Sequence, residues 1–317
     1  MMGQENSVIF DIFGENFDRF SFPANIHRVT AGYGGEALLI IGSEKSALID
    51  CGMAYCGKKM VENLQAVLKQ EGKENLDYVL LSHSHYDHIG ALPYIKDAYP
   101  QVVVCGSEHC RKILEKPSAH ALMKELGTSA RELYEPANQD EIPVHNLKVD
   151  RVMVDGDIIS LGEEWIVALE TKGHTDCCLS YVLEPLKLLF ASESAGILEG
   201  KDYVNTPFLK SFRDAVNSSR RCRAYGVNYI CLSHFGMLPQ SYNETYWDML
   251  FAACDEKYDF IAAMVAEGLT EEQMLERYTD HYWSEYKAVE QPREAYLLNS
   301  GYILKTVLKE LDAQKKR

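Results

Sequence analysis

Between residues 83 and 88 the chain reads His83-Ser84-His85-Tyr86-Asp87-His88, three imidazoles and a carboxylate within six residues. In extended backbone alternate side chains share a face, so His83 and His85 point the same way. Asp87 and His88 then fall in the turn beyond and reach toward a second centre. Neutral imidazole and ionised carboxylate suit zinc and iron(II), and each must shed its proton to bind. One short segment cannot complete two coordination shells, so further ligands must come from elsewhere. Three later positions offer them: His174 after the stretch Trp165 to Thr171, Glu193 after Leu188 to Ser192, and His234 after Tyr229 to Ser233. Each lies just past an apolar run that reads as a strand, the usual place for an α/β core to deliver functional side chains.

The order of these pieces resembles the metallo-β-lactamase superfamily, including its glyoxalase II and lactone-hydrolase branches. The matching motifs are Ala47-Leu48-Ile49-Asp50-Cys51-Gly52, the His83 to His88 run, Gly173-His174-Thr175, Phe190-Ala191-Ser192-Glu193 and Ser233-His234, which span most of residues 30 to 240. The resemblance implies an αββα sandwich of the α/β (α+β) class with metals at one edge. It also implies that His83, His85 and His174 bind a first metal, and Asp87, His88 and His234 a second. Asp50 would orient a ligand histidine by a hydrogen bond. Two divalent ions are expected, zinc first, with iron or manganese as alternatives. The family usually has aspartate where this chain has Glu193, the carboxylate that bridges both metals. Asp202 stands nearby in sequence, but the strand-end position selects Glu193.

This chemistry implies a hydrolase in which hydroxide held by the metals attacks an ester, thioester, lactone or phosphodiester, with Asp87 holding or moving the proton. Two other classes compete. One is a di-iron redox enzyme on the same fold, a branch that replaces the second histidine of the motif with glutamate and carries a flavin domain. Here that position is His85, and no glycine-rich phosphate loop follows. The other is a metal-binding regulator without turnover.

The elements that must position these groups alternate. Strand character marks Ser7 to Phe13, Glu36 to Gly42, Ser46 to Asp50, Tyr78 to Ser82 and Val102 to Cys105; helices are expected at Tyr55 to Gln70, Gly90 to Asp97 and Glu108 to Glu115. A polar helical stretch at 117–138 reads as an insertion near the site mouth, either a lid or a plain surface helix. Strands follow at Leu147 to Val154, Asp157 to Leu161, Trp165 to Thr171, Leu179 to Val182, Leu188 to Ala191 and Tyr229 to Ser233, with a helix at Phe208 to Tyr225. Beyond Met237 only helices are expected: Asn243 to Glu267, Thr270 to Tyr278 behind a Thr-Glu-Glu-Gln cap, and Pro292 to Gln314. The division is therefore a catalytic domain over 1–240 and a helical extension over 241–317.

Composition narrows the partners. The 317 residues carry 47 acidic against 32 basic side chains, a net charge of −15, which opposes a phosphate backbone as ligand and favours a small-molecule substrate. No run approaches the roughly 18 apolar residues of a membrane span. Met1 to Phe10 lacks a basic start and apolar stretch, so the expected location is the cytoplasm. The nine cysteines then read as reduced thiols. Cys177 and Cys178 flank the Gly-His-Thr motif but precede a buried-looking strand, and core packing is the preferred reading, as for Cys51, Cys105, Cys110 and Cys231. His27, His109, His120, His145 and His281 are isolated and read as surface or satisfied histidines, with contact to substrate the alternative for His120. Tyr86 is placed either to bond substrate or to pack. The aromatic group from Tyr278 to Tyr286, including Trp283, reads as core, with a pocket wall or a homodimer interface as alternatives.

Overall fold

The computed structural model describes residues 12–14, 17–23, 25–284, 287–288 and 291–315. The strand expected over Ser7 to Phe13 falls largely outside them, and Tyr286, Lys316 and Arg317 lie outside them as well.

Two sheets carry the molecule. The first runs in the order β1 (Ile26–Arg28), β2 (Leu38–Ile41), β3 (Ser46–Ile49), β4 (Tyr78–Leu80), β5 (Val103–Gly106) and β6 (Arg151–Val152). The second contains β7 (Ile158–Ser160), β8 (Trp165–Glu170), β9 (Leu179–Glu184), β10 (Leu188–Ala191), β13 (Tyr229–Leu232) and β14 (Gly236–Met237), in the order β14-β13-β10-β9-β8-β7. A hairpin of β11 (Ile197–Gly200) and β12 (Tyr203–Asn205) stands apart. The helices are α1 (Gly57–Gln70), α2 (Tyr86–Ile89), α3 (Leu92–Ala98), α4 (Glu108–Leu114), α5 (Pro117–Tyr134), α6 (Phe212–Tyr225), α7 (Asn243–Ala266), α8 (Glu271–Tyr282) and α9 (Arg293–Lys315).

Alternation along the strands builds the layers. Leu38, Ile40, Ala47 and Ile49 face Ile166, Ala168, Tyr181 and Phe190 in a core between the sheets. The intervening residues Leu39, Leu48 and Val79 face outward and bury against Met60, Leu64 and Leu68 of α1. On the far side Val182, Leu189 and Ile230 share a core with Tyr246, Trp247, Leu250 and Cys254 of α7. Helix, sheet, sheet, helix is therefore the layer order. The helical extension is bound into it, since each of these large side chains stabilises by about 1.5–3 kcal/mol when fully buried. Further along α7, Ile261 and Met264 join α8 and α9 in a fourth cluster that also holds Phe208 and Leu209.

Most strand expectations agree with the structure to within two residues, and the exceptions have local causes. The strand expected over Leu147 to Val154 pairs only at Arg151 and Val152, because the Asp150 carboxylate accepts the Val104 N–H at 3.1 Å while Leu147 and Val149 turn into the helix-side core. Helix α6 starts at Phe212, not Phe208, because Ser211 caps it by accepting from Asp214 N at 3.0 Å. The Thr270 cap is present as a reciprocal capping box with Gln273. Among the described residues no helix is long and apolar enough to cross a membrane.

Candidate metal centre

Strand direction explains the convergence. β3 and β4 run parallel, as do β10 and β13, and β8 runs with β10 because both are antiparallel to the intervening β9. Their C-terminal ends deliver Asp50, the His83–His88 run, His174, Glu193 and His234 to one edge. The side chains form two quartets that share Glu193: His83, His85, His174 and Glu193, and Asp87, His88, Glu193 and His234, with the ligating atoms of each within 4.8 Å of one another. Asp202 is not in either; it sits on the exposed turn of the β11–β12 hairpin.

Hydrogen bonds on the far sides of the rings fix which nitrogens face inward. Asp50 holds a left-handed backbone at φ +52° after β3. Its Oδ1 accepts Ser82 N at 2.7 Å, and its Oδ2 accepts the Ser82 hydroxyl at 2.6 Å and His88 Nδ1 at 2.9 Å. With its proton committed to Asp50, the Ser82 oxygen accepts from His83 Nδ1 at 3.0 Å. His174 Nδ1 donates to the Pro207 carbonyl at 2.6 Å. Three imidazoles thus turn Nε2 inward, His83 and His174 into one quartet and His88 into the other.

The lone pairs meet other electron-rich atoms. Glu193 Oε1 lies 2.7 Å from His88 Nε2 and 3.0 Å from His234 Nε2, while Oε2 lies 3.1 Å from His174 Nε2. His85 Nδ1 is 3.0 Å from His174 Nε2, and His88 Nε2 is 3.2 Å from His234 Nε2. His83 Nε2 is buried and has no hydrogen-bond partner. A buried acceptor without a donor, in a ring of acceptors, is the condition a cation relieves. The donor set fits metal binding.

The charge states follow the same electrostatics. Burial, then neighbouring histidines, push His83 well below the ordinary histidine value, and burial with His174 takes His85 down to about 4. For His88 burial also opposes charge, but Asp87, Asp50 and Glu193 outweigh it and hold the ring above its ordinary value. Glu193 likewise raises His234 against burial, and His174 and His234 hold the Glu193 carboxyl low against burial. Neutral His83 and His85 and an ionised Glu193 are already in the forms that ligate, whereas His88 and His234, which the carboxylates draw toward the protonated form, would give up that proton to bind.

The remaining polar residues sort out plainly. Cys177 and Cys178 are buried and belong to neither quartet, their thiols lying 3.1 and 3.0 Å from Thr175 Oγ1. His120 bonds the Leu114 carbonyl at 2.7 Å, whereas His109 and Tyr86 line the cavity beside the cluster. His27, His145 and His281 lie against Glu71, Asp97 and Phe260. Tyr278 and Tyr282 pack in the C-terminal core with Trp283 against it. Two residues with positioning roles went unread in the sequence. Ser82 is signalled only by a hydroxyl next to His83, and Pro207 acts through its carbonyl, which no side-chain pattern reveals.

A family model described as the metallo-beta-lactamase superfamily matches residues 31–234. Among curated proteins the chain is 24% identical over 148 residues to Glyoxylase B2 of Dictyostelium discoideum, and 27% identical over 148 residues to a probable metallo-hydrolase of Burkholderia pseudomallei (strain 1710b). Each match covers 45% of this chain and 45% of the relative, so the chain spans about half the length of the curated relatives it matches. Among solved structures, a metallo-beta-lactamase family protein of Thermus thermophilus superposes with a TM-score of 0.57 at 16% identity, covering 92% of this chain and 93% of that one. An archaeal metallo-beta-lactamase superfamily protein of Sulfolobus tokodaii gives 0.52 at 19% identity, covering 74% and 86%. At these identities the structures share the fold.

Proposed function

The chain belongs to the metallo-β-lactamase superfamily, and from that premise we propose that it is a metal-dependent hydrolase with a binuclear centre, zinc being the metal that suits the donors best. His83, His85 and His174 would hold one ion, and Asp87, His88 and His234 the other. Glu193 would join the two, because its two oxygens already reach into both quartets. The observation that carries the reading is that shared carboxylate between two rings of inward lone pairs.

When bound, the ions supply charge that stabilises a developing oxyanion and lower the pKa of water from about 15.7 to roughly 7. The protein's own part is to hold and to aim. Asp50 and Ser82 lock His88 and His83 in one tautomer, and Pro207 does the same for His174. Asp87 Oδ2 lies 3.5 Å from His88 Nε2 and from His234 Nε2, and the residue lines the cavity. With one oxygen on the metal, its other oxygen would be left to hold a proton and pass it to a departing group. The substrate is an ester, thioester, lactone or phosphodiester in this reading.

Extraction with a strong chelator, followed by reloading with zinc, iron(II) or manganese(II), tests it. Two equivalents of metal per chain and hydrolysis of at least one of those substrate types, lost on extraction and restored on reloading, are expected. Turnover that is unchanged in the metal-free protein would refute it.

A further inference from the structure

A cavity of about 380 Å³ opens on the cluster at Asp87, Glu193 and His234. That volume lies in the range of small-ligand sites, about 300–1,000 Å³. Its walls come from α5 on one side and α9 on the other. The helix at 117–134 is docked rather than loose: Gly127 and Ala130 are buried, and a Cβ on Gly127 would stand 2.9 Å from Ile142. It forms a fixed wall.

The chemistry of the walls is uneven. Half-buried Met123 and Leu126 of α5 and buried Ile303 of α9 line the cavity. At the rim, three large apolar side chains stay exposed: Leu122 of α5 at 42%, and Leu298 and Tyr302 of α9 at 38% and 41%. Large exposed apolar side chains scattered singly need no explanation, but three on the two lips of one cavity mark a surface shaped for an apolar ligand. Charge is scarce in between. Glu199 reaches the lining, but its Oε2 is paired with buried Lys287 at 2.5 Å and its Oε1 accepts Asn205 Nδ2 at 2.8 Å. No arginine is among the described lining residues, and Lys116 and Lys210 are exposed at the mouth. Lys210 turns its ammonium to the Tyr302 ring, 5.5 Å from the centroid, and Lys116 is exposed, so neither is held in a buried position as an ion-pair partner for a phosphodiester.

We propose that the site takes a carboxylic ester, thioester or lactone bearing an apolar chain, which runs from the cluster between α5 and α9 to the lips at Leu122, Leu298 and Tyr302. This rests on the hydrolase reading above and narrows it. Water adds across the acyl bond: the C–O or C–S bond breaks, a new C–O bond forms, and the alcohol or thiol takes a proton and leaves, or in a lactone remains as the hydroxyl of the opened ring, so no oxidant or reductant is consumed.

Two series test it on the full chain reloaded with zinc. In the first, kcat/KM is measured for p-nitrophenyl esters from acetyl to decanoyl, beside bis(p-nitrophenyl) phosphate. The rate constant should climb with chain length by up to about fourfold per methylene, the factor set by its transfer from water, and the phosphodiester should be the poorest substrate. In the second, calorimetric binding of alkyl carboxylates from acetate to decanoate should tighten in parallel. Leu298→Asp, and independently Leu122→Asp on the opposite lip, should lower the decanoyl-to-acetyl ratio at least tenfold, with unchanged melting temperatures showing that both variants fold. A flat response in both series, or a phosphodiester turned over faster than every ester, overturns the inference. Carboxylates that tighten with length on a protein that hydrolyses nothing would sink the hydrolase reading alone and support the apolar ligand.

Discussion

Asp50 Oδ2 lies 2.9 Å from His88 Nδ1, and the same oxygen takes the Ser82 hydroxyl at 2.6 Å, whose oxygen in turn faces His83 Nδ1. One buried carboxylate thereby orients a histidine in each quartet, although it touches neither metal position. Asp50→Asn keeps the shape but replaces an acceptor by an amide that can donate, so the His88 tautomer is no longer fixed. Metal affinity should fall by about 10–100-fold, read by competition with a chromophoric chelator. An unchanged affinity would show that the backbone alone orients the rings.

Glu193 reaches both quartets because its side chain is long enough to send Oε1 to His88 and His234 and Oε2 to His174. Glu193→Asp shortens that reach by one methylene while keeping the charge. The variant should bind one metal equivalent tightly where the parent binds two, measured by elemental analysis after gel filtration. Two retained equivalents would mean that the turn Glu193–Ala195 shifts to compensate.

Lys257 of α7 is buried and donates to Asn205 Oδ1 at 2.8 Å and to the Thr206 carbonyl at 3.1 Å. Burial, helped by nearby Lys287, pulls its ammonium down to about 7 from an ordinary 10.5. The folded value lies below the unfolded one, so the unfolded chain takes up this proton first as pH falls. The contribution to stability is greatest above pH 10.5 and is lost as pH falls toward 7. Stability should therefore rise with pH across that window, by about 1.4 kcal/mol per pH unit at the steepest. Lys257→Met removes this titration. The stability difference between the two proteins, from denaturant melts between about pH 7.5 and 9, cancels the groups they share and should grow with pH in favour of the wild type. A difference that is constant with pH would place the lysine's titration elsewhere.

The strands were legible as short apolar runs because both faces of each sheet are covered: Leu38, Ile40, Ala47 and Ile49 bury between the sheets while Leu39 and Leu48 bury against helices. Strand β10, buried at every position, and β4, buried at Val79 and Leu80, follow the same pattern. The hairpin β11–β12 did not show, since its Ile-Leu-Glu-Gly and Tyr-Val-Asn strands are brief and half-polar and pack against α7 and not within a sheet. At the site, the seven side chains singled out from the sequence, at positions 83, 85, 87, 88, 174, 193 and 234, are ones the structure brings together. What stayed hidden was the matter of distance. Nothing in the order of residues shows that the Pro207 carbonyl lies under His174, or that α5 and α9, far apart in sequence, face each other across one cavity.

The Gly-His-Thr motif illustrates how a spacing becomes a constraint. Gly173 has φ +135°, and a Cβ there would lie 2.3 Å from both Cα and N of Ala215, backbone atoms at the start of α6 that cannot swing aside. Its carbonyl accepts Lys210 N at 3.0 Å, tying the turn before His174 to the segment that enters α6. Only glycine satisfies the dihedral and the space together. Gly173→Ala must therefore either unseat α6 or push His174 away from Pro207. Destabilisation of about 2–5 kcal/mol is expected from strain and overpacking combined, read from denaturant midpoints, together with weaker metal binding in the folded fraction. A variant as stable as the parent that binds metal equally well would show that the helix yields and that the glycine is not what holds His174 in place.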